Sequence, residues 1–216
     1  MRLTKHFVLL LMLSVVFSGA FADRSENVVK RTKARTQSNQ FGGFGVEAHG
    51  LYSLPAGDIV NVLSPAIGFG ASLTYRDFLV ESFDLKLVGE MTTFPLIEKA
   101  SNTLAATNIK LLGRYNIWPD FMSETIPGCI YVEAGGGVSM QKLSMGAAVF
   151  ENNDILYQGG LGVELIFFQN FTFTAGASYV LIPQKYLAGA TRDGSFINIC
   201  AGINYEFSGK KGGLSK

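Results

Sequence analysis

Histidine is nearly missing from this chain: His6 and His49 are the two in 216 residues, and only His49 lies beyond the first 22. With Glu47 two residues before it, His49 would have to be the base of any hydrolytic site, because acyl transfer needs a base beside a nucleophile. No nucleophile motif accompanies it, and an interior histidine bonded to a carboxylate is the plainer reading. A second histidine or a cysteine pair that would complete a metal site is missing too. The expectation is no enzyme, no cofactor and no metal. Cysteine is also scarce. Cys129 and Cys200 fall at different depths on strands that are not neighbours, which speaks against a bridge and leaves two free or weakly packed thiols. The glycine clusters Gly135-Gly136-Gly137 and Gly159-Gly160-Leu161-Gly162 open no helix, so they are not phosphate loops, and no nucleic-acid partner is indicated. Asn170-Phe171-Thr172 fits a glycosylation acceptor but sits at a turn and is discounted.

Long apolar runs are short of a helical bilayer span. Arg2 and Lys5 precede an apolar stretch from Phe7 to Phe17, and Ala20-Phe21-Ala22 stands before Asp23, the pattern of a cleaved signal peptide over 1–22. No cysteine lies at the cleavage site, which speaks against a lipoprotein. The window Leu165 to Gln184 carries no charge, yet Gln169-Asn170 is a turn signal in its middle and Thr172, Thr174 and Ser178 keep a period of two after it. It reads as a hairpin. Charge is unevenly spread: residues 23–40 carry five basic and two acidic side chains, 209–216 three lysines, and 41–208 eight basic and fifteen acidic, giving +3, +3 and −7. Residues 23–40 are read as a basic, disordered and solvated leader, with contact to anionic lipid or cell wall as the alternative, and 209–216 as a basic tail.

What the chain has in quantity is alternation. Eight segments from Phe41 onward keep large apolar side chains on one parity and polar ones on the other, as a pleated strand requires. They are Phe41–Tyr52, Ala66–Arg76, Phe83–Phe94, Thr107–Ile117, Cys129–Met140, Leu156–Phe168, Phe171–Leu181 and Ser195–Phe207. No charge falls on the apolar parity. The polar parity is sparse and rich in glycine (Gly45, Gly68, Gly70, Gly135, Gly137, Gly160, Gly162, Gly176, Gly202), which suits the crowded concave inside of a small barrel better than a solvated outer face. Aromatic residues gather at strand ends, at Tyr52, Phe94, Tyr157 and Tyr179 on one rim and Tyr75, Phe83, Tyr115, Trp118, Phe167, Phe171, Tyr205 and Phe207 on the other, as in interfacial girdles. The fold class expected over 41–208 is all-β: an eight-stranded antiparallel up-and-down transmembrane barrel with a lipid-facing exterior. Eight strands return both ends to one side. Links 77–82, 118–128 and 169–170 lie on that side, and 53–65, 95–106, 141–155 and 182–194 on the other.

The last strand adds a finer likeness. Cys200, Gly202, Tyr205 and Phe207 resemble the C-terminal signal of bacterial outer-membrane barrels, with the departure that Ser208 to Lys216 follow the final aromatic. Over residues 41 to 207 the chain is similar to the eight-stranded outer-membrane barrels typified by the membrane domain of OmpA, OmpX and OmpW. The resemblance implies an outer-membrane location with both termini periplasmic, outer-membrane lipid as surroundings, and the barrel assembly machinery as the reader of Gly202, Tyr205 and Phe207. Among these barrels it leans to the OmpW-like group, which implies passage of small apolar solutes. The outward links are apolar in keeping: Leu54, Ile59, Val60, Val62 and Leu63 in the first, Met145, Ala147, Ala148, Val149 and Phe150 in the third, and Leu181, Ile182, Tyr186 and Leu187 in the fourth. Such loops line a greasy mouth or cap the barrel, and a closed barrel acting as a structural protein or adhesin toward a host surface ligand stands beside the channel.

Inside, one constellation carries charge: Glu47, Asp84, Glu90, Glu133, Glu164 and Glu206 with Arg76, Lys86, Lys110 and Arg114. An unpaired charge in a narrow lumen costs several kcal/mol, on the order of 3 to 5, so these groups pair or stay hydrated. Lys86, Lys110 and Arg114 are expected to reach Glu47, Glu133 and Glu164 across the space that glycine leaves. A salt-bridged plug and an ion or solute path both fit.

Overall fold

The computed structural model describes residues 43–80, 82–117, 119, 127–168, 170–187 and 190–207, with backbone alone at 168, 183–187 and 190–193. Segments 1–22, 23–40 and 209–216, together with Trp118, lie outside the described residues. Eight strands follow one another: β1 Phe44–Gly57, β2 Ala66–Tyr75, β3 Phe83–Pro95, β4 Thr103–Ile117, β5 Gly128–Met145, β6 Ala148–Phe168, β7 Phe171–Leu187 and β8 Ala190–Phe207. Each pairs antiparallel with the next, and β1 pairs with β8 from Phe44↔Phe207 to Gly57↔Gly194, which closes the barrel. Closure leaves the ladders no free edge around the wall, the condition for backbone to cross hydrocarbon without unsatisfied amides.

The two faces are inverted relative to a water-soluble barrel. Ile67, Phe69, Leu73, Leu87, Leu111, Leu161, Ile199 and Ile203 stand outward and exposed, while Glu47, Asp84, Lys110, Arg114 and Glu164 are buried inside. Between the girdles the outward parity of the described strands carries no charge; Lys142 and Glu151, paired at 3.5 Å, come only above the Tyr157 level. An apolar belt of this kind is stable only against lipid.

Strand ends depart from the sequence expectation. Strand 1 begins at Phe44 and runs on to Gly57, β4 starts at Thr103, β5 continues to Met145, β6 begins at Ala148, and β7 and β8 extend to Leu187 and from Ala190. The link expected at 141–155 shrinks to Gly146-Ala147, with Gly146 at φ +62°, where glycine is the natural residue. The apolar residues assigned to loops, Leu54, Met145, Ala148, Val149, Phe150, Leu181 and Ile182 among them, therefore lie on strands. The cause is physical: above the bilayer nothing enforces the in–out alternation, while the hairpin hydrogen bonds continue. Ile59 and Leu63 do stay in a link. Phe94 is also corrected, because it faces inward at 3 % exposure and packs against Phe196 with ring centroids 4.8 Å apart. Tyr52, Tyr157 and Tyr179 hold the upper girdle without it.

Candidate functional site: a layered lumen

The rim where both ends of the described chain emerge is called here the terminal rim, and the opposite one the loop rim. From the terminal rim the lumen starts at Arg76, just past β2. Its guanidinium donates to Asp84 Oδ2 at 2.7 Å, Glu164 Oε1 at 2.8 Å and Glu206 Oε1 at 2.8 Å. Glu164 is shared, since Arg114 Nη1 donates to its Oε2 at 3.2 Å while Arg114 Nη2 reaches Glu133 Oε2 at 3.5 Å. Glu133 accepts from Gln158 Nε2 at 3.1 Å, and Gln158 Oε1 accepts from Lys110 Nζ at 2.6 Å. Lys110 also lies 2.6 Å from Glu90 Oε1. His49 sits between Glu90 at 3.5 Å and Glu47 at 3.2 Å, and Lys86 Nζ closes the sequence on Glu47 Oε2 at 3.0 Å. The contacts form one unbroken chain from Arg76 to Lys86 that draws on β1, β3, β4, β5, β6 and β8, with Arg76 just past the end of β2. Single buried pairs seldom gain more than their desolvation costs, but a network in which most charges meet more than one partner lowers the unpaired-ion penalty.

Glycine makes room for the large members. Both register partners of His49, Gly70 and Gly202, lack side chains; a Cβ on Gly70 would stand 2.5 Å from His49 Nε2, and one on Gly202 2.7 Å from its Cβ. Tyr131 lies flat under the Arg114 guanidinium, 3.8 Å from Cζ to the ring centroid, a cation–π contact, and its hydroxyl fits over Gly162 and Gly176.

Toward the loop rim the lining changes character. Ser53 donates to Asn198 Oδ1 at 2.5 Å, and beyond this the inward side chains are Phe94, Leu104, Ala106, Leu156, Val180, Ile182 and Phe196. Ile59 and Leu63, from the link between β1 and β2, drop into this apolar layer at 0 % and 1 % exposure. The link is tied down by backbone bonds, Ser64 N to Pro95 O at 2.9 Å and Ile97 N to Val62 O at 2.9 Å, and by the bridge Leu63↔Leu96. Of the link residues expected to line a greasy mouth, Ile59, Leu63 and Ile182 join this layer, whereas Val60, Met145, Val149 and Phe150 are exposed.

All eight proposed network residues, with Arg76 and Glu206, are thus linked in one chain of contacts, with His49 and Gln158 as intermediate members. Lys110 meets Glu90 and Gln158 rather than Glu47, Glu133 or Glu164. Sequence reading missed the bridging role of Gln158 and Asn116, the latter donating to Asp84 Oδ2 at 2.8 Å; their polar parity was the available signal. It also missed the apolar layer, which shares the parity of the charges. Of the residues read as an assembly signal, Gly202 faces inward against His49, while Tyr205 and Phe207 point out with rings 5.1 Å apart. Cys129 and Cys200 are not bridged: Cys129 Sγ lies 3.7 Å from Asn116 Oδ1 and Cys200 Sγ 3.6 Å from Gly176 O.

No protein-family model and no curated protein sequence matches the chain. Solved structures do. Neisserial surface protein A is 16 % identical, with 76 % of this chain and 97 % of that chain covered and a TM-score of 0.57. Ail, the attachment invasion locus protein of Yersinia pestis, is 15 % identical over 78 % of this chain and 100 % of that chain, with a TM-score of 0.51. Strand number, closure, inverted faces and these likenesses agree: the chain has the fold of the eight-stranded outer-membrane β-barrels.

Proposed function

We propose that this chain is a bacterial outer-membrane protein, with both termini in the periplasm, that is closed to through-passage and works through the strand extensions above its loop rim as a structural or adhesive protein. The observation that carries this reading is the filling of the lumen in two layers, a continuous ionic chain and an apolar layer stoppered by Ile59 and Leu63. The β5–β6 hairpin supports the surface role: it continues past the row Tyr157↔Leu181, where β6 first meets β7, up to Met145↔Ala148, and presents exposed Met145, Val149 and Phe150 at its tip. Assembly through Gly202, Tyr205 and Phe207 by the barrel machinery and export by a signal peptide at 1–22 belong to the same proposal. So does the absence of an enzymatic role, since His49 is engaged by two carboxylates.

A second reading keeps one specific observation in its favour. The apolar layer has the lining expected for small apolar solutes, so capture and passage of such molecules after displacement of Ile59 and Leu63 is the rival. Planar-bilayer recording on the refolded protein tests the pair. The closed reading expects no resolvable steps with or without an apolar solute, and loss of cell attachment to matrix-coated surfaces when 143–150 is replaced by a short turn with heat-modifiable mobility intact. Steady conductance, or solute uptake into vesicles, favours the channel instead.

A further inference from the structure

The turn between β2 and β3, at the terminal rim, holds all three non-glycine residues with positive φ among the described residues: Asp77 at 51°, Leu79 at 67° and Ser82 at 67°. Leucine is uncommon there, because its Cβ crowds the backbone carbonyl. Such a conformation persists only where the surroundings impose it, and here hydrogen bonds do. Phe78 N donates to Phe83 O at 2.6 Å, Val80 N to Phe78 O at 2.9 Å and Phe83 N to Val80 O at 3.3 Å, while Asn116 N donates to Ser82 O at 2.8 Å. Asp77 completes the set on the lumen side: its N–H donates to Asp84 Oδ1 at 3.0 Å, and its own Oδ1 accepts from Ser82 N at 2.9 Å. The amides of Asp77, Phe78, Val80, Ser82 and Phe83 are thus all satisfied by protein. A turn in water has no need of this, since solvent serves its amides without strain, whereas backbone against hydrocarbon does. Side chains divide in the same sense. The Phe78 ring packs on Tyr75 at 5.9 Å and Tyr75 on Phe44 at 4.9 Å, so the outward apolar belt continues into the turn. On its other flank the Phe83 ring covers outward-facing Gly113, 2.9 Å from where a Cβ there would stand. Beyond these rings Leu79 and Val80 form the tip, 75 % and 56 % exposed.

We propose that this turn is a lipid-binding element: Leu79 and Val80, with Phe78 behind them, insert among the upper acyl chains of phospholipids in the leaflet at the terminal rim. Continuity with the lipid-facing belt selects the occupant. Aromatic rings at a barrel rim mark headgroup depth, and apolar surface at that boundary enters the leaflet by about 5 to 10 Å. The strained backbone is what aims the two side chains outward while the polar groups of the turn stay on the lumen side. The barrel is thereby pinned in depth on its β2–β3 side. The insertion is independent of whether the lumen conducts and of what the loop rim binds.

Tryptophan fluorescence of the refolded protein in phosphatidylcholine vesicles tests this. Trp118 is the single tryptophan, so Leu79→Trp is made in a Trp118→Phe background, with Leu111→Trp in the same background as the mid-belt reference. Vesicles carry bromine either high or deep on the acyl chains. Leu79→Trp is expected to be quenched at least about twofold more by the shallow bromine than by the deep one, and to be shielded from aqueous acrylamide, with Leu111→Trp showing the reverse order. An indole at 79 that acrylamide reaches and neither bromine quenches overturns the proposal and leaves the tip as a contact for protein instead. Val80→Trp gives the same reading if Leu79→Trp loses heat-modifiable mobility. On the unaltered protein, a phospholipid with a diazirine high on its acyl chain is expected to label the segment Asp77 to Phe83 on irradiation. Label confined to the strands of the belt overturns the proposal equally.

Discussion

Arg76 and Arg114 hold Glu164 between them, each with at least one more carboxylate to satisfy. Removing Arg114 therefore takes the cation from Glu133 and leaves Glu164 to Arg76 alone. Arg114 is 1 % exposed and stacks on Tyr131, so Arg114→Met keeps much of its packing volume and isolates the electrostatic loss. The expected cost is about 3 to 5 kcal/mol of folding stability, read from a urea refolding titration in lipid vesicles. A loss of about 1 kcal/mol or less is the value for a solvated pair and would mean that water fills the lumen around Glu133 and Glu164. His49 belongs at the same scale. Its Nδ1 lies 3.2 Å from Glu47 Oε1 and its Nε2 3.5 Å from Glu90 Oε1, within a chain of contacts that holds six carboxylates and four permanent cations.

Each strand serves two environments along its length, which decides how much of the structure could be read in advance. Within the bilayer no charge takes the outward parity, and the faces of β3 and β4, with Leu85, Leu87, Leu111 and Tyr115 set against Asp84, Lys86, Lys110 and Arg114, follow from parity, Val88 and Leu112 being the apolar residues that turn inward. Above the upper girdle the rule lapses. Phe94, Leu104, Leu156 and Phe196 face inward although apolar, because the outer part of the lumen is lined by apolar packing rather than by charge, and no period of two separates an inward Phe from an outward one. The chain of contacts was legible as a set of shared-parity charges but not as pairs. Partners such as Gln158 to Lys110 depend on register between strands distant in sequence, which alternation leaves undetermined. The same division predicts how a charge is tolerated. Leu111→Arg, at the middle of the belt, is expected to cost about 2 to 4 kcal/mol, whereas Asn153→Arg on the β5–β6 extension should cost about 0 to 1. Equal costs in parallel vesicle titrations would place the bilayer elsewhere along the strands.

Across the whole molecule, on the closed reading proposed above, the two fillings act in series, each blocking the lumen at a different depth. The ionic chain lies toward the terminal rim and the Ile59–Leu63 stopper toward the loop rim. A path through the barrel then requires both to yield. Changing Ile59 and Leu63 to Ala empties part of the apolar layer and is expected to destabilise by about 2 to 5 kcal/mol per side chain. It should nevertheless leave the refolded barrel electrically silent, because Arg76, Arg114, Lys110 and their carboxylates still occupy the cross-section. Replacing Arg76 and Arg114 by Met should also give no conductance, since the stopper remains seated. Only the combination, in molecules that keep heat-modifiable mobility, is expected to open steps in a planar bilayer. Steps from the Ile59/Leu63 variant alone would mean that ions pass the salt-bridge chain as it stands. In that case the stopper is the only barrier and the network is the selective part of a pore.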